Sequence, residues 1–260
     1  MKKVAVVGYG NTKFTKEVIP IESLLLESTK KVFDTTRNLS QDLVDGVIVS
    51  TNDSSKYLAA ILSELSGIKP KVSHTVEHLC SSGTNAVISG FSYIASGLVD
   101  TVLITGADSV GNPGQVLEWD KSRGEFNHPI FWASLFTKAH KRQHNTSEEE
   151  LAIVSVKNHK QAMDNPNAYS HNPYTISEIM NSKNVTDDLR ILDCSYPCSG
   201  SSSILLATEE FAKKFTAEPI WISGIGQKTN SASFTKNELP TLSSSIMAAN
   251  DAYDMAKINS

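Results

Sequence analysis

Cysteine is scarce, with three in 260 residues. An odd count in a chain this long makes no disulfide framework and fits a reducing compartment, so a cytoplasmic protein is expected. An excess of one charge is lacking too. Lys and Arg total 24 against 28 Asp and Glu, a formal net charge of −4. That leaves no electrostatic case for nucleic acid or an anionic membrane surface as partner. No apolar run approaches the ~20 residues of a membrane span. Met1-Lys-Lys leads straight into a strand-like run, which is not signal-peptide architecture. There is no low-complexity segment and no charge run. The turn Gly8-Tyr-Gly10 lacks the third glycine of a dinucleotide fingerprint, because Lys13 stands there.

What is present is an ordinary globular composition, 40% hydrophobic and 20% charged, in a chain long enough for one large domain or two smaller ones. The patterning predicts strands over Lys3–Val7, Leu43–Ser50, Thr101–Thr105, Ser202–Ala207 and Ile220–Gly226. Amphipathic helices are predicted over Ile21–Thr36, Ser54–Ser66, Phe131–Gln143, from the capping box at Thr146/Ser147 to about Met163, and over Leu242–Ile258. Glu209–Phe215 reads as a short helix. Strands alternating with helices imply a parallel sheet with right-handed crossovers. Reactive groups in such sheets gather at the carboxyl ends of strands.

The stretch Val76-Glu-His-Leu-Cys80-Ser-Ser-Gly83 stands at such an end. Ser81, Ser82 and Gly83 suit a helix start, and Ala86, Val87, Ser89, Gly90, Tyr93, Ile94 and Gly97 make a helix of small residues able to pack closely. Gly97 fits its C-terminal stop. A cysteine at a helix start faces the positive end of the aligned peptide dipoles, which suits a nucleophilic thiolate. An arbitrary cysteine is more often a small buried hydrophobe. The strand–Cys–Ser–Ser–Gly–helix–strand context reverses those odds for Cys80.

Leu79-Cys80-Ser-Ser-Gly83, Gly97-Leu-Val-Asp100 and Val102-Leu-Ile-Thr-Gly106-Ala-Asp together resemble the nucleophile region of thiolases. The likeness is greatest to the sterol-carrier-protein-type branch and its archaeal acetyl-CoA acetyltransferase relatives. Val4–Phe14, Leu151–Lys160 and Leu189-Arg-Ile-Leu-Asp193-Cys194 are similar to further segments of that branch. The resemblance implies an α/β thiolase-like fold, a parallel-rich mixed sheet with helices on both faces and an inserted covering subdomain. Residues 1–110 and 191–215 would form the N-terminal half with the nucleophile. Residues 111–190, rich in Pro and Gly (Pro113, Gly114, Gly124, Pro129, Pro166, Pro173), would be the cover that shelters substrate and pantetheine. Residues 216–260 would open an incomplete second half.

The implied chemistry is acyl transfer on acyl-CoA thioesters through an acyl-Cys80, without a cofactor, in a homodimer or homotetramer. The family completes its site with a Gly-His-Pro histidine and a second cysteine in a Cys-x-Gly turn, both further along than the opening of the second half. Neither motif occurs after Ile220, and the last histidine is His171. Either the protein is shortened, with its activity as an isolated chain in question, or a partner chain supplies the rest. A non-catalytic subunit that binds acyl-CoA or scaffolds a complex is the alternative.

Other candidates carry less. His74-Thr-Val-Glu77-His78 spells an inverted zinc-protease motif, but that chemistry needs a helix, and the segment between Pro70 and Cys80 reads as a strand. Cys194 and Cys198 lack a second pair of metal ligands. Their segment resembles the thiolase Asp-Cys-Cys-Pro-x-Ser-Asp-Gly region, with Ser199-Gly200 in place of Asp-Gly and Ser201-Ser-Ser203 where alanines are usual. That alignment implies a place for Ser195 beside the pantetheine arm. His140, His144 and His159 fall on helix surfaces and receive no role. Phe131, Trp132 and Phe136 are expected to pack the covering subdomain.

Overall fold

The computed structural model describes residues 1–52, 54–111, 128–231, 236 and 238–259. Pro113, Gly114 and Gly124 of the expected cover lie outside the described residues. The chain forms two compact units, one of Met1–Pro113 with Pro197–Ser223 and one of Gly114–Tyr196 with Gly224–Ser260.

Among the described residues the first unit is built on six strands: β1 (Val4–Asn11), β2 (Gly46–Ser50), β3 (Val72–Val76), β4 (Thr101–Asp108), β5 (Gly200–Thr208) and β6 (Ile220–Trp221). Their order in the sheet is β3-β2-β4-β5-β1-β6. β2 pairs parallel with β3 and β4, whereas β5 runs antiparallel between β4 and β1. The fold is therefore α/β with a mixed sheet, as the resemblance implies, and not the wholly parallel sheet that the alternation of elements implies, because β5 is inserted antiparallel among four strands that share a direction.

Both faces are covered. Leu103, Leu205, Ala207, Val47 and Val49 point into one core with Leu24, Leu25 and Val32 of α1 (Ile21–Thr35), Leu58 and Leu62 of α2 (Leu58–Ser66), and Phe215 of α7 (Glu209–Phe215). The intervening residues Val102, Ile104 and Leu206 meet α3 (Ser82–Ser96) on the opposite face. A β-carbon on Gly90 would come to 2.9 Å from the Ile104 Cδ1 and 3.3 Å from Leu206 Cδ1. Only glycine lets α3 lie this close to the sheet. Continuous apolar strands such as Thr101–Thr105 thus reflect burial on both sides.

Buried hydroxyls cross the α1 face. Ser28 Oγ lies 2.6 Å from Ser201 Oγ and 2.7 Å from Ser203 Oγ, and Ser203 Oγ donates to Thr105 Oγ1 at 2.9 Å. Ser201 and Ser203, which stand where the resemblance leads one to expect alanine, are therefore paired with a serine of α1, which removes the penalty of burying them unpartnered, while exposed Ser202 donates to Asn11 Oδ1 at 2.7 Å.

Several bounds differ from the patterning. The expected strand Ile220–Gly226 stops at Trp221 because its partner β1 begins at Val4, and the last ladder bond is Ile222 N–H to Val4 O at 3.0 Å. The helix expected from Ser54 starts at Leu58, after Tyr57 in a left-handed conformation (φ 63°). The second unit holds α4 (Pro129–His144), α5 (Glu148–Ala162), α6 (Ile176–Met180) and α8 (Ser243–Ala256). Ser147 and Glu150 form the expected capping box of α5. Glu148 meets Lys141 and, at 2.7 Å, Arg190, tying α4, α5 and the segment before Cys194 together. Gly224 and Gly226 run against the α8 backbone, where a β-carbon would strike Ala252 O and Ala248 O.

Candidate active site

Cys80 follows the carboxyl end of β3 in a short 3₁₀ turn, Leu79–Ser81, that leads directly into α3. It is exposed to solvent. Helix α3 keeps this position because its buried residues Ala86, Gly90, Phe91 and Ile94 recur at helical spacing against the sheet, and Gly97 (φ 83°) ends it.

The turn is held from both sides. Leu79 N–H donates to Glu77 Oε1 at 2.7 Å, and His78 N–H donates to Ser82 Oγ at 2.7 Å. Ser82 Oγ in turn donates to Leu79 O at 2.7 Å, while Ser81 donates to His78 O through its N–H at 3.1 Å and its hydroxyl at 3.0 Å. Leu79 itself sits at φ 47°. A bulky side chain in the left-handed region costs roughly 1–2 kcal/mol. Each bond around it returns roughly 1 kcal/mol, and one to a carboxylate more. The bonds outweigh the strain, so the turn persists.

Beneath the turn lie the ends of β2 and β4. Ser50 Oγ, on the last residue of β2, is 4.0 Å from where a Gly83 β-carbon would stand and 2.7 Å from one on Gly106. Gly106 allows the end of β4 to close against that hydroxyl, whereas a β-carbon at Gly83 would meet it only at ordinary contact distance. Nearby, buried Ser199 Oγ accepts Val110 N–H at 2.9 Å and donates to Glu17 O at 2.7 Å, joining the end of β4 to the loop after β1. Sequence reasoning missed Glu77, Ser82 and Ser50 as supports. The Ser-Ser-Gly motif signals a helix start, but no local pattern signals a left-handed leucine.

The remaining candidates fall elsewhere. His74 is in β3, its ring edge-on to Tyr93 with centroids 5.7 Å apart, and burial pushes its imidazole pKa down. Glu77 and His78 lie beyond the strand, so the zinc-protease spacing has no helix to act on. Among the described residues no three His, Cys, Asp or Glu side chains converge to hold a metal ion. Ser195 is an exposed loop residue of the second unit.

Cys194 belongs to the second unit and donates its thiol to Arg190 O at 3.4 Å; burial and the Asp193 charge push its pKa up. Cys198 belongs to the first unit, where burial and the Asp108 charge push its thiol up. Cys198-Ser-Gly200 spells Cys-x-Gly, but ahead of the position expected for the second cysteine. Gly200 is the first residue of β5, paired with Asp108 and packed against the Phe14 ring. His159 meets Tyr174 edge-on at 4.7 Å, Tyr169 stacks on Tyr196 at 5.1 Å, and the His140 and His144 rings lie 4.6 Å apart along α4.

Residues 4–188 match the family described as "Thiolase, N-terminal domain". The chain belongs to the thiolase family. Among thiolase-related proteins, the acetyl-CoA acetyltransferase of Methanothermobacter thermautotrophicus is 28% identical over 274 residues, covering 99% of this chain and 71% of its own. Sterol carrier protein 2 of Bos taurus is 26% identical over 247 residues, 87% of this chain and 45% of its own. The solved structure named "Ltp2-ChsH2(DUF35) aldolase" superposes with a TM-score of 0.87 at 22% identity, covering 99% of this chain and 70% of that one. At that identity the likeness is one of fold. No helix among the described residues is long and apolar enough to cross a membrane.

Proposed function

We propose that this thiolase-family chain is an acyltransferase of the acetyl-CoA C-acetyltransferase type, with Cys80 as its nucleophile. The observation that carries the reading is an exposed cysteine on a bonded turn at the head of a close-packed helix, within the residues that match the family. The Cys80 sulfur attacks the thioester carbonyl of an acyl-CoA. A carbon–sulfur bond to Cys80 forms, the bond to the CoA sulfur breaks, and CoA leaves as a thiolate that takes up a proton. Residues 1–110 and 191–215 serve as the nucleophile half, 111–190 as the cover with Ser195 beside the pantetheine arm, and 216–260 as the opening of the second half. Thiolase-family acetyl-CoA acetyltransferases act on CoA thioesters without a cofactor, and the same is proposed here.

Condensation with a second acetyl-CoA, or thiolysis of a 3-oxoacyl-CoA, needs a base and a further oxyanion donor. No Gly-His-Pro occurs in these residues. Burial and the Asp108 charge push the Cys198 thiol up, which disfavours the thiolate that a base would need. On the enzyme reading, the rest of the site is either lost or supplied by a partner chain. The two-component name of the aldolase structure supports the partner route. β3 is one of the two outer strands of the sheet and alternate residues on it are exposed, which supports pairing in a homodimer or homotetramer. The absent motifs favour a second reading, a subunit that binds acyl-CoA or scaffolds a complex without turning over.

Intact mass after incubation with acetyl-CoA separates the two. One acetyl group on the wild type and none on Cys80→Ala supports the acyl-enzyme. No adduct on folded wild-type protein leaves the non-catalytic subunit.

A further inference from the structure

We propose that Glu77 and Ser82 are positioning residues for Cys80, acting by holding Leu79 in its left-handed conformation. The inference rests on the acyl-enzyme reading of Cys80. Three observations carry it. Leu79 is the residue immediately before Cys80, and its φ of 47° lies where a branched side chain does not rest unaided. Both polar groups of the Leu79 main chain meet a side chain: its N–H the Glu77 carboxylate and its C=O the Ser82 hydroxyl, both at 2.7 Å, with the Ser82 main-chain N–H donating to the same carbonyl. Ser82 is also buried, and its hydroxyl spans the turn by accepting His78 N–H at 2.7 Å.

The consequence is directional. Rotating Leu79 to the ordinary helical or extended region reverses the carbonyl that Ser82 holds and swings the next residue away from the axis of α3. Cys80 then loses its fixed place above the ends of β2 and β4. The side chains on either side of the nucleophile thus help to hold its geometry. An attack on a thioester depends on such placement, because the reacting atoms must meet at close range and in line. Alkylation by a small reagent in free solution depends on it far less.

The test uses the full chain and the variants Glu77→Ala, Glu77→Gln, Ser82→Ala and Leu79→Gly, with the two double variants that pair Leu79→Gly with Glu77→Ala or Ser82→Ala. Acetylation of Cys80 by acetyl-CoA and its alkylation by iodoacetamide are followed by mass, and exchange of the Leu79 amide by NMR. Expected is an acetylation rate about tenfold lower in Glu77→Ala and in Ser82→Ala, which corresponds to ~1.4 kcal/mol, with alkylation within twofold of wild type. Glu77→Gln, which keeps an acceptor oxygen, recovers most of the loss. Leu79→Gly has no left-handed penalty to be held against, so combining it with either alanine variant restores the rate.

Acetylation falling equally in the double variants, or alkylation falling in parallel, assigns these side chains a general structural role and overturns the proposal. So does an unchanged Leu79 amide in Glu77→Ala, whether or not the wild type is acetylated. A wild type that alkylates at Cys80, protects the Leu79 amide and takes no acetyl group overturns the acyl-enzyme reading instead.

Discussion

Two cysteine-bearing turns of this chain differ in what surrounds the sulfur. Cys80 is exposed, at the start of a 15-residue helix, and the groups fastened there are main-chain atoms on either side of it. Cys198, just before β5, is half-buried beside the Asp108 carboxylate, and Cys194 is half-buried with its thiol donating to Arg190 O. In the first turn hydrogen bonds fix the main chain on either side of an exposed cysteine. In the second segment the sulfurs themselves are absorbed, by burial and by neighbouring negative charge. Both stretches read Cys-Ser in the sequence, so the residue pair alone does not separate them. What separates them is the helix that follows Cys80 and the sheet strand that follows Cys198.

The comparison breaks most visibly under a limiting thiol reagent. At pH 8 iodoacetamide is expected to modify Cys80 at least tenfold faster than Cys194 or Cys198, read by peptide mass. Equal rates would mean that the second segment is not packed as described. A smaller effect follows from Arg190→Ala. Arg190 Nη1 pairs with Glu148 at 2.7 Å and Nε donates to Met180 O at 2.9 Å. Losing them loosens the segment before Cys194 and raises its labelling several-fold, with Cys80 unchanged.

Acid should act in the same direction. Lys141 and Arg190 hold the Glu148 carboxyl below the ordinary carboxylate range. A group with a depressed folded value lends stability that is present above its unfolded value and lost as pH falls through the folded one. Labelling of Cys194 by an acid-tolerant disulfide reagent should therefore rise below the ordinary carboxylate range relative to pH 6. A flat profile would dismiss the ion pairs as a support.

The smallest effect is expected of Asp108→Asn. It removes the lesser of two causes that keep the Cys198 thiol up, so alkylation of Cys198 should quicken by only about two- to threefold, burial being the larger cause. A tenfold gain would make the charge dominant.

Much of this was legible. The helix Ile21–Thr36 was readable from its apolar spacing, and α1 buries Ile21, Leu24, Leu25, Ser28 and Val32. The small residues of α3 announced close packing, and Gly90 lies within contact of Ile104 and Leu206. Other features were not readable. The direction of β5 depends on pairing across about a hundred residues, with Thr101 opposite Ala207 and Asp108 opposite Gly200. The early end of β6 depends on where β1 begins. Leu79 gives no sign of its positive φ, since leucine ordinarily avoids that region. The partners that hold it there, Glu77 and Ser82, come from either side of the turn.

By itself the sequence determined which segments are strands and helices, because apolar spacing selects the face each must bury. It also determined that a cysteine stands at the start of a helix of small residues after a strand. Only the tertiary structure decided that the helix lies against the sheet over Gly90, that Ser201 and Ser203 of β5 meet Ser28 of α1, and that Cys80 is exposed while Cys198 is half-buried. The reason is physical. Periodicity is set by neighbours along the chain, but burial, charge environment and backbone strain are set by atoms that meet only when the chain has closed on itself.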